Sequence, residues 1–158
     1  MRKNYKNLSS GFTLIEILVV IGIIAVLASV VLVAINPARQ FKLARDSQRV
    51  ANVNALLNSI NQNVSEHKGV FTCGLNPLDL PATSTIVRSA SSAIQGIDLA
   101  PCIVPSYLSI LPFDPSASGA HYKSSSDYDT GYSVYEDSNG RVTVSAVGEI
   151  ETTISATR

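Results

Sequence analysis

Gly11-Phe12-Thr13-Leu14-Ile15-Glu16 opens a run of apolar residues that continues to Ile35. Between Phe12 and Ile35 every side chain is apolar or small except Thr13, Glu16 and Ser29. As a helix, these roughly 24 residues extend about 36 Å at ~1.5 Å per residue. That is enough to cross a hydrocarbon core of about 30 Å with some tilt. Glu16 is the anomaly. A carboxylate costs up to ~3 kcal/mol at the bilayer centre and less near its edge, and ionisable groups kept in such segments usually serve a function with a partner.

The apolar run offers Glu16 no counter-charge. Arg2, Lys3 and Lys6 lie upstream, and the next cation downstream is Arg39. A cut after Gly11 would create an amine on Phe12, mostly protonated at neutral pH because an α-amino group titrates near about 7.7–8.0. That amine could pair with Glu16 of a neighbouring copy. The plainer alternative is an anchor whose Glu16 lies close enough to the headgroups to cost little. An ordinary secretory signal carries its apolar region before the cut and loses it. Here the small-residue junction Ser9-Ser10-Gly11 precedes the apolar run, so processing would retain the anchor.

The hexapeptide, the apolar helix behind it and the short basic leader resemble the class III signal of type IV prepilins and type II secretion pseudopilins. The resemblance is close over the first third of the chain. It implies an α+β fold of the type IV pilin kind, with a long N-terminal helix, transmembrane and then amphipathic, packed on a small C-terminal antiparallel β-sheet. The implied parts are a leader at 1–11, a transmembrane or filament-core helix at 12–35, its amphipathic continuation at 36–68 and an extracytoplasmic head at 69–158. In that family a membrane peptidase cuts after the residue matching Gly11 and methylates the one matching Phe12, and the carboxylate matching Glu16 recruits subunits into a filament. The implied partners are identical or related pilin subunits, the prepilin peptidase, an inner-membrane assembly platform and membrane lipid. The precursor is then a single-pass protein of the cytoplasmic membrane with its head outside, destined for a surface pilus or a periplasmic pseudopilus. The rival readings are a secretion pseudopilin and a single-pass membrane protein with a binding head that never polymerises.

Charge bears on partners. The 158 residues carry 12 basic and 12 acidic side chains. Loss of residues 1–11 leaves nine against twelve, a net side-chain charge of −3, and from Val50 onward five bases face ten acids, a net of −5. A mildly acidic head argues against a nucleic-acid surface, which needs clustered cations. Arg39, Lys42, Arg45 and Arg49 follow the span, with Asp46 among them. They either line a filament interior, meet acidic neighbours or form a solvated helix face. The positive-inside rule does not fix the orientation, because cations flank both ends.

Two cysteines, Cys73 and Cys102, fall in the head. Given the extracytoplasmic location that the resemblance implies, a disulfide between them is favoured over two reduced or separately buried thiols. Two cysteines alone make no tetrahedral zinc site. Two histidines, His67 and His121, show no triad-like company, and no phosphate-binding glycine loop is present. Asp127, Asp129, Glu136 and Asp137 could offer oxygens to calcium, but their spacing fits no calcium loop, and a solvated acidic turn is the better reading. No enzyme activity, cofactor or metal is expected.

Along the chain, Asn36-Pro37 interrupts the helix, since proline removes a donor and clashes with the preceding turn. Leu43, Val50, Val53, Leu57, Ile60 and Val64 then form an apolar stripe, and Gly69 is a plausible stop. Six prolines between 77 and 115 exclude a long regular element. Short helical pieces are expected within 84–97 and 106–111. Leu111-Pro112-Phe113-Asp114-Pro115 resembles a Pro-x-Asp-Pro loop of the major pseudopilins, although Ser116-Ala117 replaces the usual aromatic-glycine pair. Strands are expected at 131–136 and 141–147, joined through Asp137-Ser138-Asn139-Gly140, with others near 122–126 and 150–156. The tyrosines at 122, 128, 132 and 135 read as packing residues.

Overall fold

The computed structural model describes residues 11–92 and 94–158. The leader residues before Gly11 and the helical position expected at Ala93 lie outside the described residues. The chain divides into two compact units between Gln40 and Phe41.

In the first unit, helix α1 (Leu14–Ile35) is 22 residues long and contains no buried residue. It is apolar on every side and long enough to cross a membrane. Thr13 ends it at the N-terminal side. Asn36 ends it at the other, in the left-handed conformation (φ 47, ψ 75) that releases the chain from the helical path. The same Asn36 starts α2 (Pro37–Glu66): its carbonyl and its side-chain oxygen both accept from the Arg39 amide, at 3.0 and 3.3 Å. Pro37 then occupies the first helical position, where its missing N–H costs nothing.

In the second unit, α2 continues to Glu66, and the chain turns through Lys68 and Gly69, both at positive φ. A two-stranded ribbon follows, β1 (Thr72–Cys73) with β2 (Asn76–Pro77), and then β3 (Thr85–Arg88), helix α3 (Ala100–Ile103) and four further strands. These are β4 (His121–Ser124), β5 (Asp127–Glu136), β6 (Val142–Ala146) and β7 (Ile154–Thr157). The main sheet runs β3-β5-β6-β7, with β4 also on β5, and every pairing is antiparallel. The fold is therefore α+β, with a long N-terminal apolar helix and a small antiparallel C-terminal sheet. The helix that packs on this sheet is α2. Its Val53, Leu56, Leu57 and Ile60 join Val87, Tyr132, Val134 and Val144 in one buried core.

Three local expectations change. Residues 84–97 yield strand β3, with no helix among the described residues, because Thr85 and Ile86 pair with Val134 and Ser133 of β5. The short helix expected at 106–111 lies earlier, at Ala100–Ile103, with Pro101 in its first turn. The C-terminal strand begins at Ile154, since Gly148 to Thr153 first makes a turn that serves another purpose, described below.

Strand β5 explains the loop before β4. Asp129 pairs with both Arg88 and His121, and Ser133 with both Ile86 and Ser145, so β4 and β6 share one edge of β5. Between them lie Thr130, Gly131 and Tyr132, outside both pairings on that edge. The gap is filled by the Pro112–Pro115 segment, where the Asp114 amide donates to the Thr130 carbonyl at 2.8 Å. Gly131 is required there twice over. Its φ is +71, and a Cβ would lie 3.1 Å from that of Asp114.

Candidate functional site

At the N-terminal end, Gly11, Phe12 and Thr13 are non-helical and exposed. Thr13 has an extended backbone (φ −82, ψ 153) and caps α1. Its Oγ1 accepts from the Glu16 amide at 3.3 Å, while the Thr13 amide and hydroxyl both donate to Glu16 Oε2 at 2.7 and 2.8 Å. This reciprocal arrangement is a capping box. The apolar run thus does hold a partner for Glu16, contrary to the expectation from charge alone: one of its oxygens is engaged within the first turn. Oε1 makes no hydrogen bond among the described residues, so the carboxylate keeps acceptor capacity for an outside donor. Phe12 lies one residue upstream of the cap.

A second group of polar side chains lies inside the second unit. Arg49, on α2, has a side chain only 3% exposed. It grips Asp114 with both arms of its fork, Nε to Oδ2 at 2.7 Å and Nη2 to Oδ1 at 2.8 Å. Nη1 donates to Asp46 Oδ1 at 2.7 Å and Nη2 to Ser116 Oγ at 2.7 Å. Arg45, one turn earlier, forks onto Glu149, Nε to Oε1 at 2.5 Å and Nη2 to Oε2 at 2.6 Å. Asp46 in turn accepts the amides of Glu149 and Ile150, each at 2.9 Å. Two cations and three carboxylates therefore join three distant segments: α2, the Pro-x-Asp-Pro loop and the β6–β7 turn. Ser116 completes the ring, donating its hydroxyl to Glu149 at 2.8 Å and its amide to Asp114 at 2.9 Å. The departure from the usual aromatic-glycine pair is here put to use.

These contacts set the titration of the cluster. The amide of Glu149, opposed by burial and helped by the Ile150 amide and Arg49, holds Asp46 down to about 2. The Arg45 guanidinium and the Ser116 hydroxyl bring Glu149 to about 2. Burial pushes Asp114 up, but Arg49 and the amides of Ser116 and Ala117 outweigh it and keep the carboxyl below its usual value. Asp114 in turn raises Arg49. All three carboxyls titrate lower in the folded chain than in the unfolded one, so the unfolded chain binds more protons around pH 3 and stability falls with acid. Their contribution is complete above the ordinary values of 3.8 and 4.5 and disappears as the pH falls toward about 2. The cluster's contribution to the thermal midpoint of the full chain in detergent should be constant above about pH 5 and drop between ~pH 4.5 and ~2. Glu149→Gln should lower the midpoint at neutral pH and shrink that drop; an undiminished acid slope would show that the cluster is not its source.

The cysteines sit elsewhere in the same unit. Cys73 of β1 and Cys102 of α3 are joined as a disulfide with their Cα atoms 4.1 Å apart. Asn63 of α2 backs both segments, donating to the carbonyls of Thr72 (2.9 Å) and Cys102 (3.2 Å) and accepting the Thr72 amide (2.9 Å). Among the other acidic candidates, Asp127 meets His121 and Lys123, Asp129 meets Arg88, and Asp137 meets Arg141. Tyr128 and Tyr132 are fully buried, each with its hydroxyl bonded, to Asp98 and Asn52 respectively.

The sequence pattern pointed to Gly11, Phe12 and Glu16, and the structure gathers them at one exposed end of α1. It did not point to the Arg45–Arg49 cluster. The available clue was that Arg49 continues the buried row Val53, Leu56, Leu57 and Ile60 at spacings of three and four, so a charge there had to be paired.

Residues 6–32 match the family described as the prokaryotic N-terminal methylation motif. No curated protein and no solved structure matches the chain. The matched stretch takes in the Gly11–Phe12 junction, the Thr13–Glu16 cap and most of α1. The segment that opens this chain is therefore a prokaryotic N-terminal methylation motif, the class III signal of type IV pilins and pseudopilins.

Proposed function

We propose that the protein is a structural subunit of a type IV pilus-like filament, cut after Gly11 by a prepilin peptidase, methylated on Phe12 and polymerised through α1. The observation that carries this reading is that the methylation motif runs directly into a helix with no buried residue. A helix apolar on every side needs cover all round, first from lipid and then from the helices of other copies. The free Phe12 amine of one subunit neutralises Glu16 of the next through the oxygen that Thr13 leaves open. The partners are then identical or related subunits, the peptidase, an inner-membrane platform and lipid, and the chain acts as a building element with no reaction of its own. A head outside the cytoplasm agrees with its disulfide. The Pro112–Pro115 loop resembles that of the major pseudopilins, though Ser116-Ala117 departs from it, and makes a secretion pseudopilin the second reading.

Intact-mass and N-terminal peptide mass spectrometry, on sheared surface material and on membranes, tests this for the native chain and for Glu16→Ala. The native chain should begin at Phe12, one methyl heavier, and occur in the sheared fraction. Glu16→Ala should still enter the membrane and be nearly absent from that fraction. A Phe12 start with no surface material would turn the choice to the pseudopilin. A native chain that begins at Met1 and stays in membranes would leave only the anchored, non-polymerising protein.

A further inference from the structure

The junction is built so that the scissile bond stays out of the helix. A peptidase must hold its substrate backbone extended to reach the carbonyl, and an α-helix hides that carbonyl in its hydrogen-bond ladder. Within or beside a membrane, the pressure is toward more helix, because every backbone N–H not bonded internally is left unsatisfied. Ser10 and Gly11 are weak helix formers, but Gly costs only about 1 kcal/mol, which alone does not fix where α1 begins. What stops it is Thr13. Its backbone is extended, and its side chain and that of Glu16 take up the donors that an added helical turn would otherwise satisfy. Gly11 is left open: apart from its chain neighbours, no atom among the described residues lies within 4 Å of the position a Cβ would take.

We propose that Thr13 is a positioning residue for leader removal: with Glu16 it fixes the start of α1 at Leu14 and presents the Gly11–Phe12 peptide bond in extended form to the peptidase. In the step it serves, water adds across that bond, its oxygen going to the Gly11 carbonyl carbon and a proton to the Phe12 nitrogen. Glu16 therefore works twice, before cleavage in the cap and after cleavage at the next subunit's amine. The inference rests on the processing proposed above.

The test is the rate of leader removal from the full-length precursor in membranes containing the peptidase, for Thr13→Val, Thr13→Ser and Thr13→Asn. Valine keeps the branched shape and loses the cap. Serine and asparagine both cap, and asparagine does so without a hydroxyl. Loss of a cap corresponds to roughly 2- to 30-fold slower cleavage for Thr13→Val. Serine and asparagine should cleave at least as fast as the native chain. Amide exchange at Phe12 and Thr13 in the uncut precursor should slow in Thr13→Val, because the helix now runs through them. Native cleavage in Thr13→Val would overturn the inference, as would asparagine behaving like valine, which would assign the hydroxyl to recognition by the peptidase itself. If the native precursor is not cut at Gly11 at all, the failure lies with the processing reading.

Discussion

Replacing Arg49 by methionine is expected to lower the stability of the 41–158 unit by ~3–5 kcal/mol, the usual loss when one member of a buried charge network is removed. Methionine fills much of the same volume, so the loss is electrostatic. Asp114, with a side chain 3% exposed, would keep the amides of Ser116 and Ala117, and Asp46 would lose its salt bridge to Arg49. Arg45, forked onto Glu149, would then be the remaining cation among the cluster's members. For a unit of this size the midpoint should drop by roughly 10–20 °C. Arg49→Lys should fall between, since an ammonium keeps the charge but cannot fork onto Asp114. A midpoint within a degree or two of native for methionine would mean that the cluster is energetically idle. Replacing Arg49 and Asp114 together should cost less than the sum of the single changes, because the pair is coupled.

Reducing the Cys73–Cys102 bond should cost a further ~3–4 kcal/mol, since the bridge closes a loop of 29 residues and shrinks the unfolded ensemble accordingly. Urea unfolding with and without reductant measures this directly, and the Cys73→Ser, Cys102→Ser double variant should reproduce the reduced value. The reduced chain should keep its native circular dichroism below the transition. Asn63 holds the Thr72 and Cys102 segments from α2 without help from the sulfurs, and Phe71, Leu99 and Ile103 stay in the core. Identical unfolding midpoints in the two redox states would remove the bridge from any account of stability.

What the sequence disclosed follows from the range of the forces involved. The class III motif and the apolar run are contiguous, so α1 and the residues at its end could be read directly. The β5–β6 hairpin was equally local, because Asp137 caps its own turn by accepting the Asn139 and Arg141 amides. Strand β3 was misread because Ile86, Val87 and Ala90 also fit a helical spacing. Its partners on β5 lie more than forty residues away, and pairing decided the outcome. The stripe on α2 was right at Val53, Leu57 and Ile60 and wrong at Val50, which is exposed while the neighbouring Arg49 is buried. An arginine in a core row looks like an error until its three acids are known. Two of them, Asp114 and Glu149, come from loops whose positions no periodicity encodes.

The cluster also sets a timetable for the chain. Arg45 and Glu149 are separated by 104 residues, so the cations of α2 emerge long before the acids that neutralise them. Until the Pro112–Pro115 loop and then the β6–β7 turn arrive, Arg45 lacks Glu149 and Arg49 has only Asp46, on a helix whose apolar row is also uncovered. Contacts this far apart in sequence close late and slowly. A nascent chain therefore has a window in which α2 is sticky and cationic at once, which is the interval when a chaperone or an anionic surface would hold it, and that window shuts only when Glu149 docks.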